Sequence, residues 1–144
     1  MTSARDALNG YQRGRCFYCF DTISVRARDT DLSDVDHFFP FTLMRALGPA
    51  ANLNGVWNLV LACRRCNRGK LGKSDLIPQV SLLERLHRRN NYLIESHHPL
   101  RETLMRQAGM TEPDRRRFLT TMDAVAISHL IHRWAPANEF ESAF

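Results

Sequence analysis

The chain has 144 residues, 44% of them hydrophobic, which suffices for one domain with a real core, alone or with a helical extension. Its formal net charge of +5 and its pI of about 9.4 favour a polyanionic partner. No apolar run approaches the roughly 18 residues that a membrane span needs, and no repeat or low-complexity segment occurs, so we expect a soluble protein with no membrane partner.

The first forty residues predict short elements around a pair of cysteines. Residues 2–9 favour a short helix that ends at a glycine, and Cys16 and Cys19 then predict a knuckle-like turn. Two later runs are typical of strands. Residues 22–26 alternate in polarity, and residues 34–39 lead to a proline that cannot continue a ladder.

The middle of the chain predicts a further strand followed at once by a helix. Residues 41–47 have helical spacing up to a Gly-Pro break, and residues 57–62 form an apolar run of strand length. A short helix is expected over residues 64–71, after which a glycine ends it. This order places the second cysteine pair between the strand and the helix.

The last third of the chain changes to helical sequence. Leucines at helical intervals predict a helix over residues 80–95, and Pro99 suits the first position of a helix that reaches Gln107. Residues 111–114, Thr-Glu-Pro-Asp, have the form of a capping box. We expect the longer helix that it opens to run to about Trp134.

This change of character divides the chain into two predicted domains, a core at residues 1–78 and a helical extension at residues 79–144. Residues 137–144 are expected to fray. The extension carries no acidic or thiol cluster, so we expect it to serve self-association or docking to a protein partner and not chemistry.

The four cysteines of the chain form two Cys-x-x-Cys pairs, Cys16 with Cys19 and Cys63 with Cys66. This spacing lets both thiolates of a pair face one ion, and two pairs complete the closed tetrahedral shell of a structural zinc site. Disulfides would need an oxidising compartment, and the N-terminus lacks the apolar core of a secretory signal. A redox Cys-x-x-Cys would be a single pair within a βαβ pattern. We therefore expect structural Zn²⁺ with no part in chemistry.

Between the pairs and directly after the second pair lie side chains suited to phosphodiester hydrolysis, which needs a base for water and a cation beside the phosphate. An imidazole such as His37 suits the first role. The oxygens of Asp36 and Asn67 suit Mg²⁺ or Mn²⁺ in the second, and Cys66 fixes where its neighbour Asn67 points. Adjacent strand side chains point to opposite faces, so Asp36 and His37 can share a site only where the strand ends or bends, which Pro40 favours.

The order of these motifs resembles the HNH endonuclease family in its cysteine-flanked form. Residues 14–74 carry paired cysteines, a hydrophobic-Asp-His-x-x-Pro segment, a central Asn followed by apolar residues, and Cys-x-x-Cys-Asn-x-x-Lys. The resemblance implies an α+β fold with a ββα-metal core, also named the His-Me finger, beside the four-cysteine zinc site and followed by the mainly helical extension. Asn67 stands where many members have a final His.

The resemblance also implies roles for individual side chains. Asp36 and Asn67 would hold a catalytic Mg²⁺ or Mn²⁺, and His37 would activate water as the general base. Asn58 would brace the loop between the two strands through bonds to the backbone. Lys70 matches the trailing Lys of the family, a phosphate or structural contact. The implied activity is that of a metal-dependent endonuclease cutting DNA, in the cytoplasm of a bacterial or phage system.

Basic side chains gather next to these motifs. Residues 64–89 hold eight basic and two acidic side chains, and eight minus two gives +6, which leaves the rest of the chain near neutral. Beside the candidate site, this charge favours phosphate binding. The candidates for contact with DNA are Arg64, Arg65, Arg68, Lys70 and Lys73. The alternative function is a non-catalytic, zinc-supported nucleic-acid-binding module in a larger complex, which needs only the cysteines and this surface.

Overall fold

The structure, a computed structural model, describes the backbone of residues 2–137 and the side chains of residues 5–137. The described chain is α+β. Its helices and strands are α1 (Thr2–Gln12), β1 (Asp34–His37), α2 (Met44–Leu47), β2 (Leu59–Ala62), α3 (Arg64–Arg68), β3 (Ile77–Pro78), α4 (Val80–Glu95), α5 (Arg101–Ala108), α6 (Glu112–His129) and β4 (Arg133–Trp134). Short 3₁₀ turns cover Phe41–Leu43, Pro49–Ala51 and Val56–Asn58. Within these residues, no helix combines the length and apolar character that crossing a bilayer requires.

The strands β1 and β2 form an antiparallel pair, in which Asp34 lies opposite Ala62 and His37 lies opposite Leu59. α3 follows β2 and packs against β1, where the Asn67 side chain donates a hydrogen bond to the Asp34 carboxylate at 2.9 Å. Two strands and a helix therefore occur in the predicted order. Each is shorter than the sequence predicts. β1 ends at His37, a 3₁₀ turn replaces the start of β2, and α3 ends at Arg68 after little more than one turn.

The predicted strand at residues 22–26 is wrong. Only isolated bridges occur there, one of them pairing Arg15 with Thr22. The Ser24 hydroxyl explains the difference, because it donates to the Asp29 carboxylate at 2.6 Å and accepts from the Arg26 amide at 2.9 Å. Local side-chain bonds of this kind favour a turn over a ladder.

α6 opens with the predicted cap but ends earlier than expected. The Thr111 hydroxyl accepts a hydrogen bond from the Asp114 amide at 3.3 Å. The helix stops at His129, because the chain then turns back so that β4 pairs in parallel with β3. The Trp134 indole N–H donates to the Leu71 carbonyl at 2.9 Å, which fastens this return beside α3.

The helical segment and the strand pair share one hydrophobic core. Trp57, Leu86 and Leu104 come from both sides of the predicted domain boundary, and all three are fully buried in it. The Arg89 guanidinium on α4 reaches across the boundary and donates to the Leu59 carbonyl at 2.8 Å. The helices of residues 79–137 therefore contribute to the same core as the strand pair, and the boundary at residue 78 stays a prediction.

Candidate functional site

The four cysteines come together in one cluster of free thiols. Their Sγ atoms all lie within 4.8 Å of one another, and those of Cys19 and Cys63 are 3.7 Å apart. A tetrahedral zinc ion with Zn–S bonds of about 2.3 Å needs sulfur pairs about 3.8 Å apart. The donor set and its spacing therefore fit one zinc ion.

Hydrogen-bond donors of the backbone and of Arg65 surround the cluster. The Cys16 sulfur accepts from the Cys63 amide at 3.3 Å, and the Cys63 sulfur accepts from the Cys66 amide at 3.4 Å, which also caps α3. The Arg65 guanidinium lies 3.6 Å from the Cys19 sulfur. Among the four thiols, the pKa of Cys19 is lowered to about 6, chiefly by its hydrogen bond with the Cys16 thiol, whereas hydrogen bonds with the neighbouring thiols raise the pKa of Cys16 and of Cys66. Partners of this kind orient thiolate ligands and offset part of their charge.

Tyr18, inside the first Cys-x-x-Cys pair, connects the cluster to Asp36. The buried Tyr18 hydroxyl donates to Asp36 Oδ2 at 2.6 Å. The Lys73 ammonium lies 3.3 Å from the same oxygen and donates to the His37 carbonyl at 2.8 Å. Asp36 is thus the centre of a buried network in which a phenol and an ammonium already share one carboxylate oxygen.

The turn after α3 directs Lys73 into this network. A Cβ at Gly69 would lie 2.5 Å from the Arg65 carbonyl oxygen, and one at Gly72 would lie 2.8 Å from it, so the chain can return this closely only with glycine. The Lys73 amide then donates to the Cys66 carbonyl at 2.6 Å. The prediction that Lys73 contacts DNA is therefore wrong, because its side chain is fully buried.

Burial governs the protonation of the Asp36–Lys73 pair. Desolvation raises the pKa of the Asp36 carboxyl, against the opposing effects of Lys73 and of the Tyr18 hydrogen bond. Desolvation also lowers the pKa of the Lys73 ammonium, against the attraction of Asp36. Both shifts disfavour the charged forms, so mutual attraction offsets only part of the cost of taking two charges out of water.

The oxygens that the resemblance implies for a divalent ion do not form a ready ligand set. Asn67 donates its amide nitrogen to Asp34, whereas Asp36 bonds Tyr18 and Lys73. A divalent ion on the Asp36 carboxylate would meet the ammonium, and their repulsion is on the order of several kcal/mol. In the described chain, only the cysteine quartet brings three or more Cys, His, Asp or Glu ligands within reach of one ion. These oxygens therefore support no catalytic step through Mg²⁺ or Mn²⁺.

His37 lies at the end of β1 with a half-buried side chain. Its Nε2 is 2.7 Å from Asn54 Oδ1, and its ring centroid is 5.4 Å from that of Phe41. Its neighbour Asp36 has different partners, so the two adjacent side chains occupy separate surroundings, as alternation along a strand dictates. The imidazole is the one that remains partly open to solvent.

Asn58 is fully buried and joins the end of β1 to the loop before β2. Its Oδ1 accepts from the Phe39 amide at 2.8 Å. Its Nδ2 donates to the Phe39 carbonyl at 3.0 Å and to the Leu53 carbonyl at 2.9 Å. These are the backbone bonds that a loop brace makes, and its part in function stays a prediction.

The other basic candidates are exposed on α3 and the turn after it, namely Arg64, Arg65, Arg68 and Lys70. Arg65 pairs with Asp21, and Arg68 lies 3.1 Å from an Asp34 oxygen. Exposed pairs of this kind are weak, so these guanidinium groups can exchange their partners for phosphate. Arg64 and Lys70 have no ion-pair partner among the described residues.

Part of the remaining positive charge of residues 64–89 is buried and does not lie on the surface. Arg85 and Arg89 are buried, and each donates to main-chain oxygens, Arg85 to the Tyr18 carbonyl at 3.2 Å and Arg89 to the Leu59 carbonyl. Their guanidinium groups hold α4 to the core. The exposed charge of residues 64–89 is therefore smaller than the +6 that the sequence counts.

Two contacts of the site involve residues to which the sequence assigned no role. Asn54, which lies in a loop, forms a hydrogen bond with His37, and Tyr18 forms one with Asp36. The sequence does give a signal for Tyr18, because it lies between two candidate zinc ligands and a bound metal would fix its backbone. Asn54 carries no comparable local signal, because its partner is 17 residues away.

Comparison with known protein families, curated proteins and solved structures gives no match to this chain. The resemblance to HNH endonucleases therefore rests on the motifs of residues 14–74 alone.

Proposed function

We propose that this protein is a zinc-supported endonuclease of the HNH type, with a ββα core, which hydrolyses phosphodiester bonds in DNA with His37 as the general base. One observation carries the proposal. The His37 imidazole is partly open to solvent at the end of a strand, held by Asn54 and beside a loop that Asn58 braces. An imidazole so placed is suited to deprotonating water near neutral pH.

In this proposal, the neutral His37 ring accepts a proton from a water molecule as the water oxygen attacks phosphorus. A new oxygen–phosphorus bond forms, and the bond to one ester oxygen of the DNA backbone breaks. The departing oxygen takes a proton from solvent, and His37 returns its own proton to solvent. The products are a phosphate end and a hydroxyl end. A positioned base typically contributes about 10²–10⁴-fold to such a reaction.

The exposed basic groups of α3 supply the contacts to the substrate in this proposal. Arg64, Arg68 and Lys70 are exposed, and α3 packs against the strand that carries His37. Contacts from such side chains to backbone phosphates provide affinity without reading base sequence. We therefore expect cleavage with little sequence preference from this chain alone.

A second candidate function is favoured by the buried network around Asp36. Because Lys73 and Tyr18 already satisfy one oxygen of that carboxylate, the chain also suits a zinc-supported module that binds nucleic acid without cutting it. The zinc cluster and the basic surface of α3 serve both functions. The two differ in whether His37 acts on the bound phosphate.

The two functions are separated by one experiment on the zinc-loaded full chain. It is incubated with supercoiled plasmid and with single-stranded DNA, in Mg²⁺, in Mn²⁺ and in EDTA at a concentration that leaves the zinc content unchanged. Binding is measured in parallel on uncut duplex. Cleavage that disappears in His37→Ala supports the endonuclease, and the metal arms decide whether it needs the divalent ion that the resemblance implies. Binding with no cleavage in any arm supports the module.

A further inference from the structure

The contact between His37 and Asn54 determines which nitrogen of the imidazole carries the proton. His37 Nε2 lies 2.7 Å from Asn54 Oδ1, which is a hydrogen-bonding distance. An amide oxygen only accepts, so with Asn54 Oδ1 facing the ring, Nε2 is the N–H donor. In the neutral ring, the lone pair is then on Nδ1.

The loop that carries Asn54 is fixed at several points. Asn58 bonds the Leu53 carbonyl, one residue before Asn54, and both backbone groups of Phe39, two residues after His37. One buried side-chain amide thus fixes the position of the loop relative to the end of β1. The Trp57 indole N–H adds a bond at 2.9 Å to the carbonyl of the residue two before Asn54.

The rest of His37 is also restrained. Its carbonyl oxygen accepts from the buried Lys73 ammonium at 2.8 Å, and its ring lies against that of Phe41. The main freedom left to the imidazole is rotation about the bond that joins it to Cβ, and a half-turn would put a ring carbon in the place of each nitrogen. The Asn54 contact opposes that rotation.

We propose that Asn54 is a positioning residue for the reaction, which holds the His37 ring as the Nε2–H tautomer and thereby assigns Nδ1 as the atom that takes the proton from water. This inference rests on the proposed function for its catalytic consequence. The tautomer itself belongs to the folded protein, so it can be tested whether or not the protein cuts DNA.

The test compares the zinc-loaded wild type with two variants of matched size. Asn54→Leu removes the acceptor, and Asn54→Asp keeps one; Asn54→Ala replaces the Leu variant if that fails to fold. Ring ¹⁵N shifts of His37 are recorded at about pH 8, where imidazole is neutral and the shifts report the tautomer populations. We expect Nε2–H alone in the wild type and in Asn54→Asp, and a mixture in Asn54→Leu. An Nδ1–H ring in the wild type, or identical populations in all three proteins, overturns the proposal.

A kinetic comparison separates positioning from a purely structural role. Asn54→Leu should lower kcat by about 10–100-fold, the effect typical of groups that orient a functional histidine, with KM for DNA unchanged. Asn54→Asp should restore most of the rate. A higher KM for DNA with unchanged kcat in Asn54→Leu would contradict a positioning role. If the wild type cuts no DNA, the proposed function fails, while the ¹⁵N comparison still decides the tautomer.

Discussion

The cysteine cluster and the Asp36 network each contain buried side chains of types that can bind a metal ion, and Tyr18 links one to the other. They differ in counter-charge. The sulfurs of Cys16, Cys19 and Cys63 accept hydrogen bonds from backbone amides and from the outlying Arg65, and no ammonium is described among the cluster. The Asp36 carboxylate already has the Lys73 ammonium 3.3 Å away.

This difference shows that ligand type alone does not make a metal site. Four clustered thiols become favourable as thiolates only when a cation balances their charge, so the cluster calls for an ion from outside. A carboxylate that the chain itself neutralises has no such need. The sequence motif therefore correctly predicts a four-cysteine cluster that can hold a zinc ion. The divalent ion that the resemblance implies has no ready set of ligands.

Removal of zinc should have the largest effect on the protein. A chelator strong enough to strip the cluster, or Cys66→Ser, removes a binding energy that in small zinc domains is about 10–16 kcal/mol. Because the cysteines fix α3 and the first turn of the core, we expect loss of the cooperative thermal transition. The zinc content should be one per chain, as measured by elemental analysis. Normal folding with less than one metal per chain would contradict the account.

Breaking the Asp36–Lys73 pair should come next. Lys73→Met or Asp36→Asn alone leaves a buried charge unpaired, which typically costs about 3–5 kcal/mol of unfolding free energy. The double variant removes both charges with similar volume and should return to within about 1 kcal/mol of the wild type. Denaturant unfolding of all four proteins gives the cycle. Additive losses in the double variant would show that the two groups do not act as a pair.

The same variants sharpen the comparison of the two sites for cation binding. Lys73→Met leaves the Asp36 carboxylate without its ammonium, so it should bind Mn²⁺ at least about tenfold more tightly than the wild type, a change of about 1.4 kcal/mol. Electron paramagnetic resonance of free Mn²⁺ measures this on zinc-loaded protein. The gain should vanish in Asp36→Asn/Lys73→Met. Tight Mn²⁺ binding by the wild type that Asp36→Asn abolishes would instead establish Asp36 as a metal ligand.

The smallest effects are expected on the exposed face of α3. Arg64→Gln and Lys70→Gln should each weaken DNA binding by about the same factor on unrelated sequences. Each should also reduce the slope of log affinity against log salt by about 1. Arg88→Gln is a matched control, because Arg88 is exposed but belongs to α4 and not to α3. Equal effects of the control and the α3 variants would place the DNA contacts elsewhere.

The parts of the site that could be predicted from sequence are those fixed by local covalent geometry. The Cys-x-x-Cys spacing places two thiols at one point whatever the rest of the chain does, and the cluster has that form. The cap at Thr111 likewise depends only on the amide three residues later. The backbone bonds of Asn58 have the form that the resemblance implies, although nothing yet tests what they contribute to activity.

The parts that could not be predicted depend on long-range returns of the chain. Lys73 appears in sequence as one more basic side chain beside Lys70, and only the close packing of Gly69 and Gly72 on α3 turns it inward. The end of α6 was missed because β4 pairs with a strand more than fifty residues earlier. Single-sequence periodicity carries no information about such pairings, nor about the contact of Asn54 with a side chain 17 residues away.

The most direct test of the central claim is the rate of plasmid cleavage by His37→Ala relative to the wild type. Both proteins are purified free of host nucleases and matched in zinc content, thermal transition and DNA affinity. The His37 ring is half-buried at a strand end, so its removal should leave all three nearly unchanged. We predict a fall in cleavage rate of about 10²–10⁴-fold. Cleavage by His37→Ala at the wild-type rate would contradict the assignment of His37 as the general base.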